Sequence, residues 1–171
     1  MNRVALLRGV NVTGNRIITM ADLRAFFAKV GFADVQTLLQ SGNVVFTGDR
    51  RSNATLEEFF EIEMEKHLKI RTSYFVRNTK ELKAAHEANP FPKEARANPG
   101  FVHVVFLKEA PTAHDLKALR AANAGPELID VVGRHAYVYY PQGQGQSRFR
   151  LAWHGTARNW NTVNKLLALM A

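Results

Sequence analysis

The chain has no cysteine, which excludes disulfides and thiolate metal sites from any account of it. A reducing cytoplasm is compatible with that composition. Long apolar runs are also missing. The opening Met1-Asn2-Arg3-Val4-Ala5-Leu6-Leu7 is cut at Arg8, short of a secretory core and of the roughly 20 residues that cross a bilayer. The expectation is a cytoplasmic protein with no membrane segment. A third lack is local: from Val131 to Ala171 there is neither Asp nor Glu. Arg134, Arg148, Arg150, Arg158 and Lys165 stand there unopposed and carry five of the formal +8 charges. Tyr137, Tyr139, Tyr140, Phe149, Trp153 and Trp160 share the same stretch. A basic, aromatic, acid-free surface suits an anionic partner such as nucleic acid or another polyanion.

Several chemistries are missing as well. The six histidines are scattered, with no i, i+4 pair and no ligand set for zinc. None of Ser41, Ser52, Ser73 or Ser147 sits in a G-x-S-x-G elbow. Gly9 and Gly14 have the G-x-x-x-x-G spacing of a phosphate loop, but Asn15 and Arg16 stand where Lys and Ser or Thr are required. No metal and no cofactor is expected, and no residue pattern identifies a reaction.

What is present is an ordinary globular pattern. With 171 residues, 46% of them hydrophobic, the chain can fill one domain or two small ones. Val4–Leu7 reads as a buried strand. Thr19 reads as the N-cap of a helix with Leu23, Phe26, Phe27 and Val30 inward, stopped by Gly31. Strands follow at 34–40 and 43–47, reversed through Ser41-Gly42. A second helix, capped by Asn53 or Thr55, runs to about Leu68, with Leu56, Phe59, Phe60 and Met64 inward. Its Glu57, Glu58, Glu61 and Glu65 are placed mostly outward. A strand at 72–77 completes β-α-β-β-α-β, the split unit called ferredoxin-like.

Residues 79–99 hold a short helix and two Asn-Pro steps, and read as a connector. The second half then gives a strand at 101–107 and a helix capped by Thr112 with Asp115 in a capping box. Strands at 128–132 and 135–140, joined by Gly133-Arg134, precede a final helix. The expected fold is therefore α+β, two consecutive ferredoxin-like α-β plait units, β-α-β-β-α-β followed by β-α-β-β-α. The divisions are a first unit at 1–78, the connector at 79–99 and a second unit at 100–171.

Spacing at 100° per residue puts Arg158, Asn161, Thr162 and Lys165 on one face of the last helix. Trp160, Val163, Leu166, Leu167 and Met170 take the other, with Asn159 pointing toward the apolar side. The polar face can bind an anion or simply be solvated.

Three segments together resemble a known family. They are Ala5-Leu6-Leu7-Arg8-Gly9-Val10-Asn11-Val12, Leu39-Gln40-Ser41-Gly42-Asn43-Val44-Val45-Phe46, and Ala157-Arg158-Asn159-Trp160-Asn161-Thr162-Val163. The family is a bacterial one known only as domain of unknown function 1697. The resemblance implies a pair of ferredoxin-like plaits and no activity, substrate or cofactor. Members carry a longer helical segment than the short Ser147–Gly155 stretch found here. The binding candidates are the polar signature residues Arg8, Asn11, Gln40, Ser41, Asn43, Arg158, Asn159 and Asn161, with Lys165. Arg8 and Asn11 are expected to converge with part of the last helix, whereas the first loop and the 41–42 reversal are expected at opposite ends.

Three functional readings stay open. One is a non-catalytic module for nucleic acid or another polyanion. The second is a small-molecule binder or enzyme with an Asn/Gln/Arg pocket, whose amides orient substrates but do not titrate. The third is a scaffold that oligomerises through free sheet edges.

Overall fold

The computed structural model describes residues 1–10 and 18–171. Asn11, Gly14, Asn15 and Arg16 lie outside the described residues, and with them most of the first loop. The chain is an α+β protein with two four-stranded antiparallel sheets and, among the described residues, six α-helices. Its contacts divide into Met1–Lys83 with Leu166–Ala171, and Ala84–Lys165.

The first unit runs β1 (Asn2–Leu7), α1 (Met20–Lys29), β2 (Gln36–Leu38), β3 (Asn43–Thr47), α2 (Asn53–Leu68), β4 (Tyr74–Asn78) and the start of α3 (Thr79–Glu87), with sheet order β2-β3-β1-β4. Central β1 is buried from Arg3 to Leu7, as its apolar run requires. Thr19 caps α1 by accepting from the Asp22 amide at 3.0 Å, and Gly31 follows the helix at φ +96°. Ser52, not Asn53 or Thr55, caps α2, its hydroxyl accepting from the Thr55 amide at 3.1 Å. The core is aromatic. Phe27 meets Phe60 at 4.5 Å and Phe46 at 5.4 Å between ring centroids, tilted rather than stacked face to face.

Two glutamates placed outward from the sequence turn inward. The Glu57 carboxylate is buried and accepts from the Val76 amide at 2.8 Å, and Glu61 accepts from the Tyr74 amide at 2.9 Å. Glu81 accepts from the Asn78 amide at 2.9 Å. Alternate amides of β4, the sheet edge, are thus taken by carboxylates. An unpaired strand edge needs such partners, and that demand outweighs the preference of Glu57 for water.

The second unit includes α4 (Pro92–Ala97), β5 (Val102–Leu107), α5 (Ala113–Ala122), β6 (Leu128–Val132), β7 (His135–Tyr139), β8 (Gly155–Asn159) and the start of α6 (Trp160–Met170), with sheet order β6-β7-β5-β8. The expected capping box is present: Thr112 Oγ1 accepts from the Asp115 amide, and the Asp115 carboxylate accepts from the Thr112 amide. This unit is not one strand short. Gly155–Asn159 forms a fourth strand, paired antiparallel with β5 from Leu107↔Gly155 to His103↔Asn159. What the unit lacks is a helix between β7 and β8, where only the 3-10 turn Gln144–Gln146 stands.

Both units end their fourth strand on the same dipeptide. Arg77 and Arg158 are buried, and each donates from Nη1 to the carbonyl of the preceding residue, at 2.9 and 2.8 Å. Asn78 Oδ1 then accepts from the Glu81 amide, and Asn159 Oδ1 from the Thr162 amide. An Asn side chain that accepts from the third following amide opens a helix. Arg158 and Asn159 therefore belong to a strand end, and the helix starts only at Trp160.

Candidate functional site

The missing helix decides the shape of the second unit. Val105, Leu107, Ile129, Ala136, Val138 and Tyr140 form one buried cluster of its sheet. Leu116 and Leu119 of α5 cover part of it, and Phe149, Leu151 and Trp153 of the irregular segment after β7 cover the rest. A helix would close that face along its length. The segment covers it with single side chains and leaves an open groove of about 510 Å³.

Leu119, Ala122, Pro126 and Phe149 give the groove an apolar base, while Asn123, Glu127, Gln142, Gln146, Arg148 and Arg150 supply its polar groups. Its two walls are tied together. Ser147 Oγ donates to Glu127 Oε1, and the Phe149 amide donates to Ser147 Oγ at 3.0 Å. Asn123 Nδ2 donates to the Glu127 carbonyl at 3.1 Å and the Gly125 amide to Asn123 Oδ1 at 3.0 Å. Arg150 Nη1 donates to the carbonyls of Ser147 and Phe149. Arg148 and Arg150 are exposed, and among the described residues neither pairs with a carboxylate.

Tyr140 lies behind this wall, its ring centroid 6.4 Å from that of Phe149. Burial raises its phenol above the ordinary value; Arg150 opposes the rise and Glu127 adds to it. The arrangement can hold an anion by charge-assisted hydrogen bonds from guanidinium groups. Its Asn and Gln side chains orient a ligand without exchanging protons.

The signature residues are elsewhere. Arg8, Ser41 and Asn43 meet at one end of the first sheet, because β1 and β3 are antiparallel and Leu6 pairs with Asn43. The Leu7 amide donates to the Gly42 carbonyl at 2.9 Å, and Thr72 Oγ1 donates to the Arg8 carbonyl at 2.6 Å. The end of β1 at Leu7-Arg8 and the β2–β3 turn therefore share an end of the sheet, contrary to expectation. Gly42 sits at φ +81° with Val10 Cγ2 only 2.7 Å from where a Cβ would be, so the turn needs glycine. Asn43 is fully buried and clamps the turn, donating from Nδ2 to the Leu38 carbonyl at 2.7 Å and to Ser41 Oγ at 3.0 Å. Gln40 is exposed on the same turn.

The end of the last helix does not join them. Asn2 Nδ2 donates to the Met170 carbonyl, at the opposite end of β1 from Arg8. Six residues of extended chain separate those ends by roughly 20 Å. Asn161 and Lys165 are exposed on α6, whereas Thr162, placed beside them from the sequence, is buried. Arg158 is buried and donates to Thr156 Oγ1 at 2.7 Å; burial lowers its pKa to about 10. Trp160 is buried as expected and stacks on His86 at 4.4 Å.

The groove was absent from the sequence-based list of candidates. The signal that could have found it is Arg148 and Arg150 two apart in the acid-free stretch, beside the Gln142–Gln146 loop. Among the described residues, no group of three or more His, Asp or Glu could hold a metal ion. No described helix is long and apolar enough to cross a membrane.

A family of proteins of unknown function, DUF1697, matches residues 1–137. A comparison with curated proteins finds no match. Among solved structures, the chain resembles a conserved bacterial protein, SP0830, from Streptococcus pneumoniae. The two are 22% identical with a TM-score of 0.77, over 99% of this chain and 98% of that one. At that identity the likeness shows the fold. Arg148 and Arg150 fall beyond the span of the family match.

Proposed function

The chain belongs to DUF1697, a family of unknown function, and from its geometry we propose that it is a non-catalytic binding protein for a small anionic molecule. The groove that replaces a helix in the second unit carries the proposal. At about 510 Å³ it falls within the ~300–1,000 Å³ range of small-molecule sites, with an apolar base and a few polar groups. Arg148 and Arg150 are its anion-binding groups, and Gln142, Gln146 and Asn123 orient the ligand. Each unit is read here as a ferredoxin-like plait, the second with its second helix replaced by the 141–154 segment. A cytoplasmic setting belongs to the same proposal.

The wider polyanion surface has less support. Of the five cations in the acid-free quarter, Arg158 is buried, and Arg134 is half-buried with a hydrogen bond to the Lys108 carbonyl. Titration calorimetry with phenyl phosphate and with single-stranded oligothymidylate separates the two. Phenyl phosphate is expected to bind, with about a 100-fold loss in an R148A/R150A variant, since each charged hydrogen bond contributes about 1.5–3 kcal/mol. Oligothymidylate binding that falls about 10³-fold or more between roughly 50 and 200 mM salt, with no phenyl phosphate binding, would mean a polyanion partner instead.

A further inference from the structure

The groove is not uniformly basic. Glu127 lines it together with the exposed arginines, and among the described residues it forms no ion pair. Its carboxylate is fixed in place. Ser147 Oγ holds Oε1, while Oε2 is out of solvent contact and accepts no hydrogen bond. That oxygen lies 2.2 Å from where a Cβ on Gly125 would be, so the carboxylate packs directly over the Gly125 backbone. Arg150 and Glu127 also act with opposite sign on the Tyr140 hydroxyl, which puts both charges within electrostatic reach of one buried group.

A plain anion at Arg148 and Arg150 is held by the arginines but also meets repulsion from Glu127 in the same groove. A ligand with a cationic nitrogen as well as an anionic group meets favourable charge for both. Resting on the anion-binding reading above, we propose that the groove selects a zwitterion, specifically a short peptide. Its terminal carboxylate lies at Arg148 and Arg150, its terminal ammonium lies toward Glu127, and an apolar side chain covers Phe149 and Leu119. The ammonium supplies the counter-charge that Glu127 lacks.

Calorimetry with three probes tests this: glycyl-phenylalanine, its N-acetyl form (anion only) and its C-terminal amide (cation only). The zwitterion is expected to bind at least tenfold more tightly than either blocked form. E127Q, whose fold is checked by near-UV circular dichroism, keeps an acceptor for Ser147 but no charge. It is expected to weaken the zwitterion about tenfold and to strengthen the acetylated probe. An acetylated probe that binds the parent protein as tightly as the zwitterion overturns the inference, as does E127Q leaving the preference unchanged. Either result, with phenyl phosphate still dependent on Arg148 and Arg150, leaves the anion site standing. If neither the peptide probes nor phenyl phosphate bind, both fall.

Discussion

Glu57 is the residue whose structural role departs furthest from its apparent one. Four glutamates at 57, 58, 61 and 65 suggest a solvated helix face. Glu57 is instead buried 3.6 Å from fully buried Arg77, and it also accepts from the Val76 amide. Removing one partner of such a pair leaves the other buried without its counter-charge. E57A is therefore expected to lower unfolding free energy by about 3–5 kcal/mol in urea denaturation. E58A, one residue along and exposed, should stay within about 0.5 kcal/mol. Equal effects from the two would mean that the pair contributes nothing. Arg158 separates structure from binding in the same way. R158A removes the partner of Thr156 Oγ1 and the Ala157 carbonyl, at an expected cost of about 1–3 kcal/mol. Phenyl phosphate affinity should not change, because Arg158 is not among the residues of the groove. A loss of affinity without a loss of stability would return Arg158 to the binding candidates.

Among elements, those marked by local chemistry or by an apolar run were legible, and the strand fixed by pairing alone was not. Thr19, Gly31 and the Thr112/Asp115 box satisfy amides and turns within a few residues, so their positions appear in the sequence itself. The strand at 155–159 has no such local mark. Its apolar spacing continues that of α6, and only its partner β5 makes Ala157-Arg158-Asn159 extended. The groove was illegible for the same reason, since it is defined by a helix that is missing between two strands. Edge chemistry is equally non-local. On β6 the Ile129 carbonyl accepts from Arg120 Nη2 at 2.8 Å, and the Val131 amide donates to Asp130 Oδ1 at 2.8 Å. Arg120 and Asp130 then pair at 3.4 Å with side chains about half exposed. A pair this exposed contributes less than about 1 kcal/mol, but it occupies groups through which another strand could add. The R120A/D130A variant should melt within a few degrees of its parent and yet self-associate more at high concentration. Sedimentation equilibrium showing the same mass for both proteins at every concentration would remove the edge-blocking role.

For the whole molecule, protons separate two sources of stability. His103 is buried at the start of β5, its ring centroid 5.0 Å from that of Tyr140. Burial lowers its pKa below the ordinary 6.5, and a hydrogen bond to the Gly100 backbone only partly opposes this. Above pH 6.5 the ring is neutral folded or unfolded and stability does not depend on it. As pH falls below 6.5 the unfolded chain takes up a proton that the folded chain resists, so stability declines until the folded pKa is passed. The carboxylates act later. Asp49, lowered first by its hydrogen bond to the Arg51 side chain, and Asp115, lowered first by the Thr112 backbone, lie below 3.8 when folded. Their contribution is present above 3.8 and lost as pH falls through the folded values. Melting temperature measured from pH 8 downward should thus fall in two stages, the upper one setting in below 6.5 and the lower one below 3.8. The variant H103Q retains a donor for the Gly100 carbonyl but does not titrate in this range. It should flatten the upper stage while leaving the lower one in place. If the upper stage persists undiminished in H103Q, the burial of His103 is not its source, and the remaining five histidines become the groups to replace in turn.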